Sequence, residues 1–240
     1  MSAFGAVVFD MYETLVRNSP ALWVKTFDEI CQAQGLPLTG QQLWNLWRPV
    51  DLAFREERYT AGYPFKTYEQ AWWECFQRVF RDLGQGDADH AIRLSMRDQA
   101  RREAYPEARE VVNGLYAADH LKIGLLSNAD NVALTPLMKL HGLRFHSVVS
   151  SEKAGAYKPD ARAFRLILKE VQVRAEECLY VGDSQHDDVQ GARDVGMKAA
   201  WVNRHGVKLD PKYPAPDYQI SDLRELLPIV GTRPNPRPLP

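Results

Sequence analysis

At roughly 150 residues per domain, a chain of 240 residues predicts one or two domains, and it is long enough to bury about 70% of its unfolded surface without a disulfide or metal staple. Hydrophobic residues at 45% and charged residues at 25% exclude disorder as a description of the whole chain. Thirty Lys and Arg stand against 31 Asp and Glu, a net charge of −1, without the basic excess of a nucleic-acid or acidic-membrane binder.

The first element predicted is a strand at 6–9, Ala-Val-Val-Phe. The N-terminal MSAFGAVVFD has only a short apolar run and no basic stretch, so neither a signal peptide nor a membrane span is expected. Cys31, Cys75 and Cys178 are far apart in sequence with no CxxC pair, which points to a reducing, cytoplasmic setting. From 18 to 100 the chain has helical periodicity and is rich in aromatics, including Trp23, Phe27, Trp44, Trp47, Trp72, Trp73 and Phe76. Breaks at Gly35-Leu36-Pro37, Gly62-Tyr63-Pro64 and Gly84-Gln85-Gly86 divide it into about four helices. An insertion at this point is expected to form a cap over the carboxyl edge of a sheet, with the aromatics as its own core.

Four further apolar runs, at 122–126, 147–149, 178–181 and 199–202, alternate with helical patterns. Runs without polar alternation are strands buried on both faces. The expected fold is therefore α/β, a doubly wound parallel sheet built from 1–17 and 101–230, with the helical cap at 18–100. The Pro-rich end, 231–240, is expected to be a mobile tail.

Ligands of such sheets gather at the carboxyl ends of the strands. Asp10 follows the first strand, with Thr14 four residues on. Ser127 and Asn128 end the second and supply small donors suited to an anion. After the third comes Lys158, which Pro159 holds extended just before a helix, where a cation suggests a bound carboxylate or phosphate. After the fourth comes Gly182-Asp183-Ser184-Gln185-His186-Asp187-Asp188, three carboxylates in six residues whose mutual repulsion a divalent cation such as Mg²⁺ would relieve.

Taken in order, Asp10 to Thr14, Ser127-Asn128, Lys158 and Gly182-Asp183 to Asp188 resemble the four motifs of the haloacid dehalogenase superfamily. Pro106 and Trp201-Val202-Asn203-Arg204 resemble its usual surroundings. The resemblance implies a Rossmann-like core with an aspartate nucleophile, Asp10, assisted by Thr14 and Lys158. It implies Mg²⁺ held by Asp10, the Tyr12 carbonyl, Asp183 and Asp188, and a small anionic substrate touching Tyr12, Ser127 and Asn128. A monomer or homodimer, with neither nucleic acid nor membrane as partner, is the expected state.

Two branches of the family compete. Its phosphatases carry a second Asp two positions after the nucleophile, where this chain has Tyr12, as 2-haloacid dehalogenases do. Leu46-Trp47-Arg48 also resembles the dehalogenase cap segment whose Arg receives the halide. Dehalogenases, however, replace the acids of the fourth motif with Ser and Asn, and usually carry Tyr where this chain has Phe164. Mg²⁺-dependent hydrolysis of a small phosphorylated metabolite is the leading expectation. Metal-independent dehalogenation is the first alternative and a catalytically silent binding protein the second.

Overall fold

The computed structural model describes residues 4–60 and 62–231, so the Pro-rich tail expected at 231–240 lies, except for Gly231, outside the described residues. The chain forms two compact units. One comprises the described parts of Met1–Arg17, Glu103–Asn128 and Met138–Pro240, the other Asn18–Arg102 with Ala129–Leu137.

The first unit is built on a parallel sheet of β1 (Ala6–Phe9), β2 (Lys122–Ser127), β3 (Ser147–Ser150), β4 (Cys178–Gly182), β5 (Lys198–Val202) and β6 (Tyr218–Ile220). The strand order is β3-β2-β1-β4-β5-β6. The five strands expected from sequence are present, and β6 is an addition. It escapes a hydrophobicity reading because two of its three residues are exposed at the sheet edge. Every residue of β1 and β4 is buried, as a strand covered on both faces requires. Ala6, Val8 and Tyr180 share one face with Phe164 and Ile167 of the helix Ala161–Val171. The alternate residues Val7, Phe9, Leu179 and Val181 are equally buried and point to the other face. Because β2 and β4 flank β1, the chain leaves β1 at the switch point of the sheet, the place where ligands of such folds gather.

The second unit has four main helices, α1 (Pro20–Gln34), α2 (Gly40–Glu57), α3 (Tyr68–Leu83) and α4 (Ala88–Gln99). Local signals set their ends. Thr39 and Thr67 each form a reciprocal capping box with the Gln three residues on, and Gly35, at φ 63°, closes α1 in the left-handed region. Trp23, Phe27, Trp47, Trp72 and Phe76 are buried against one another, with Trp23 and Trp72 edge to face at 4.9 Å. The boundary expected at 18–100 differs from this unit, because Ala129–Leu137 joins it. The reason is Asp130, whose buried carboxylate accepts from Tyr68 N and Glu69 N at 2.9 and 2.7 Å at the start of α3. No helix among the described residues is long and apolar enough to cross a membrane.

One buried charge ties α2 to α3. Asp51, wholly inaccessible, accepts from Arg48, from Arg55 Nε at 2.8 Å and from Trp72 Nε1 at 3.0 Å. Asp51→Ala would leave the Trp72 donor unpaired inside the aromatic core and is expected to cost about 2–3 kcal/mol in urea unfolding of the whole chain. Arg48→Ala, removing one half-exposed partner, is expected to cost less than about 1 kcal/mol.

Candidate active site

Asp10 stands one residue beyond β1, and its N–H continues the ladder by donating to Val181 O at 2.9 Å. Ser127 is the last residue of β2, and Asp183 is the first beyond β4. The parallel register therefore delivers these side chains to one edge of the sheet. The ligand oxygens of Asp10, Asp183 and Asp188 all lie within 4.8 Å of one another.

Asp188 reaches the group through a single turn of π-helix, Gln185–Gln190. Ser184 caps that turn, its hydroxyl accepting from Asp187 N at 3.0 Å. The backbone must be glycine at 182, since a Cβ there would collide with the Asp188 carboxylate. Asp188 Oδ2 then accepts from Ser184 N at 2.9 Å.

Lys158 lies in the loop before Ala161–Val171, beside Pro159 with a cis peptide bond between them, and is almost wholly buried. Its ammonium donates to Asp10 Oδ1 at 2.7 Å, Asp188 Oδ1 at 2.6 Å and the Tyr180 hydroxyl at 2.8 Å. The anion expected at this lysine is thus a pair of the protein's own carboxylates. Ser127 Oγ also donates to Asp10 Oδ1, at 2.9 Å. Both donors hold the same oxygen, Oδ1.

The charges are unequal. Burial by itself would push the Lys158 ammonium down, but Asp10 and Asp188 outweigh it and hold its pKa well above the usual lysine value. Burial pushes Asp183 well above the usual carboxylate range, reinforced by the charges of Asp188 and Asp10. Burial likewise lifts Asp188 to about 6 against the pull of Lys158. Three hard carboxylate donors, two of them bonded to the Lys158 ammonium, make a set that suits a small divalent cation, which would offset the burial and mutual repulsion that raise Asp183 and Asp188. Asp10, Asp183 and Asp188 could hold Mg²⁺.

The remaining expected residues fall differently. Thr14 is buried, its hydroxyl 3.4 Å from Asp183 Oδ1. Tyr12 is half-buried in the turn that closes at Val16. Asn128, expected to touch substrate, has its amide committed to the scaffold. It accepts from Lys158 N at 2.7 Å and donates to Lys158 O and Asp187 Oδ2 at 3.1 and 3.0 Å. Arg48 belongs to the helical unit and is paired with Asp51. The sequence reading missed Tyr180, which it took as one more apolar strand residue. The signal available was a hydroxyl inside an otherwise apolar run, two positions before Gly182. Phe164, standing where a Tyr was expected, packs against the Tyr180 ring at 5.1 Å.

A family model described as a haloacid dehalogenase-like hydrolase matches residues 4–196. The chain belongs to that family. It is 25% identical over 234 residues to haloacetate dehalogenase H-2 of Moraxella sp. (strain B), covering 96% of this chain and 100% of that protein. It is 34% identical over 158 residues to a phosphoserine phosphatase of Thermus thermophilus, covering 62% of this chain and 63% of the phosphatase. Among solved structures, the L-2-haloacid dehalogenase RSc1362 superposes with a TM-score of 0.76 at 27% identity, covering 95% of this chain and 99% of that one. As a haloacid dehalogenase-like hydrolase the chain is an enzyme, and its relatives carry two different chemistries.

Removing the central cation tests the electrostatics directly. Lys158→Met would leave the buried Asp10 and Asp188 carboxylates facing each other, and is expected to cost the metal-free chain about 3–5 kcal/mol in urea unfolding. Adding Asp10→Asn to that variant is expected to recover part of the loss, the opposite of its effect in the wild type.

Proposed function

We propose that this hydrolase is Mg²⁺-dependent and acts on a small phosphorylated metabolite through an aspartyl-phosphate on Asp10. The observation that carries the reading is the retention of Asp183 and Asp188 within ligand reach of Asp10, where a halide displacement has no use for them. Magnesium, when bound there, would neutralise charge on the phosphoryl group.

The chain's own residues do the rest. Ser127 and Lys158 fix Asp10 Oδ1, so that Oδ2 attacks phosphorus as the bond to the leaving oxygen breaks. Water then hydrolyses the aspartyl-phosphate, releasing phosphate and restoring the carboxylate. With Tyr12 where a second Asp would protonate the leaving group, alkyl esters lose the roughly 10²–10⁴-fold contribution of a general acid. Acyl phosphates, whose leaving group needs no proton, are the preferred substrate class.

Dehalogenation is the second reading. Tyr12 and the similarity over the whole length of a haloacetate dehalogenase favour it. Against it, the Arg48 guanidinium that would receive the halide already donates to Asp51. A cytoplasmic location belongs to the same proposal and rests on the three free, buried thiols.

Acetyl phosphate, p-nitrophenyl phosphate and 2-chloropropionate, each with and without EDTA, separate the readings. Phosphate release that EDTA abolishes and Mg²⁺ restores is expected, with Asp10→Asn inactive and Arg48→Ala active. Mg²⁺ at a hundredfold excess over Kd should stabilise the fold by about 2.7 kcal/mol, an increment lost in Asp183→Asn. Halide release indifferent to EDTA and abolished by Arg48→Ala would reverse the assignment.

A further inference from the structure

A lysine ammonium has three protons to donate, and this one meets three acceptors. Two are the Asp10 and Asp188 carboxylates, and the third is the phenolic oxygen of Tyr180 at 2.8 Å. That phenol is itself fixed. It is buried in β4, its ring packs on Phe164 at 5.1 Å, and its own proton goes to Leu126 O at 2.8 Å. With its proton spent on Leu126, the hydroxyl can only accept from Lys158.

Leu126 immediately precedes Ser127, the other donor to Asp10 Oδ1. One phenol therefore joins the end of β2 to the lysine and holds both Asp10 donors in common register. A four-carbon stem leaves an ammonium free to rotate and shift, and a third fixed acceptor removes that freedom. We infer that Tyr180 is a positioning residue of this enzyme, locking the Lys158 ammonium so that its remaining protons stay on Asp10 and Asp188. The inference rests on Asp10 as the reacting carboxylate and holds whether the bond broken is to phosphorus or to halogen.

Tyr180→Phe deletes the oxygen and keeps the ring. In the full chain with ¹⁵N-labelled lysine, the ammonium resonance that Lys158→Arg removes should exchange its protons with water at least about tenfold faster in Tyr180→Phe. Phe164→Leu, which disturbs the same ring packing but leaves the oxygen, should keep the wild-type rate. On whichever of p-nitrophenyl phosphate or 2-chloropropionate the wild type turns over, Tyr180→Phe should lower kcat by roughly 10- to 100-fold, with KM changed less than about twofold. In a Lys158→Ala background it should change kcat no further. Unaltered ammonium exchange in Tyr180→Phe, or equal acceleration in Phe164→Leu, would overturn the inference. The exchange measurement needs no substrate, so its outcome is independent of which reaction the enzyme catalyses.

Discussion

A single ammonium inside the sheet's carboxyl edge governs the site. Lys158 is buried between Asp10 and Asp188, and its charge is the only one that the described residues bring into direct contact with either carboxylate. Burying an ion is costly unless its partners are close and fully bonded, and here each of its protons has an acceptor below 3 Å. The same ammonium does not reach Asp183, so the cluster keeps an excess of negative charge. That imbalance suits the three carboxylates to a cation.

The surrounding scaffold serves this geometry at several removes. Arg204, beyond β5, donates to Thr14 O at 2.9 Å, pairs with Glu107 at 2.8 Å and lies over the Tyr105 ring at 3.6 Å. It thereby pins the turn after Asp10, where Glu13 sits in the left-handed region at φ 61° and its carboxylate accepts from the Tyr105 hydroxyl at 3.2 Å. Trp201 Nε1 donates to Asp183 O at 2.7 Å, holding the backbone that carries that carboxylate. Asn128 fixes the Lys158 backbone on both sides. These contacts come from strands and loops far apart in sequence, and they converge because parallel strands deliver all their carboxyl ends to one edge.

The two chemistries found among relatives differ in what they ask of this arrangement. Both use a nucleophilic carboxylate, for which Asp10, bonded to Ser127 and Lys158, is the candidate. Only phosphoryl transfer has a use for the extra carboxylates, because it must spread negative charge over several oxygens. On the phosphatase reading, Tyr12 bears on the leaving group and narrows the range of phosphate substrates.

The sequence by itself determined the parallel core and the helical segment after its first strand, and it marked Asp10 as the candidate nucleophile. Apolar runs without alternation mark doubly covered strands, and Asp10, Ser127, Lys158 and Asp183 stand at fixed offsets from strand ends, so a local pattern carries them. Capping boxes and a left-handed glycine set the helix ends for the same reason. Tertiary structure alone decided which hydrogen bonds those residues make. Asn128 faces the Lys158 backbone, Arg48 is bound to Asp51, and Ala129–Leu137 joins the helical unit through Asp130. Tyr180 becomes part of the site only because β4 lies beside β1, with β2 on the other side, so that its phenol reaches both Leu126 O and Lys158 Nζ. A hydrogen bond between residues 22 or 54 positions apart depends on strand order and register, and neither is written in the residues that make the bond.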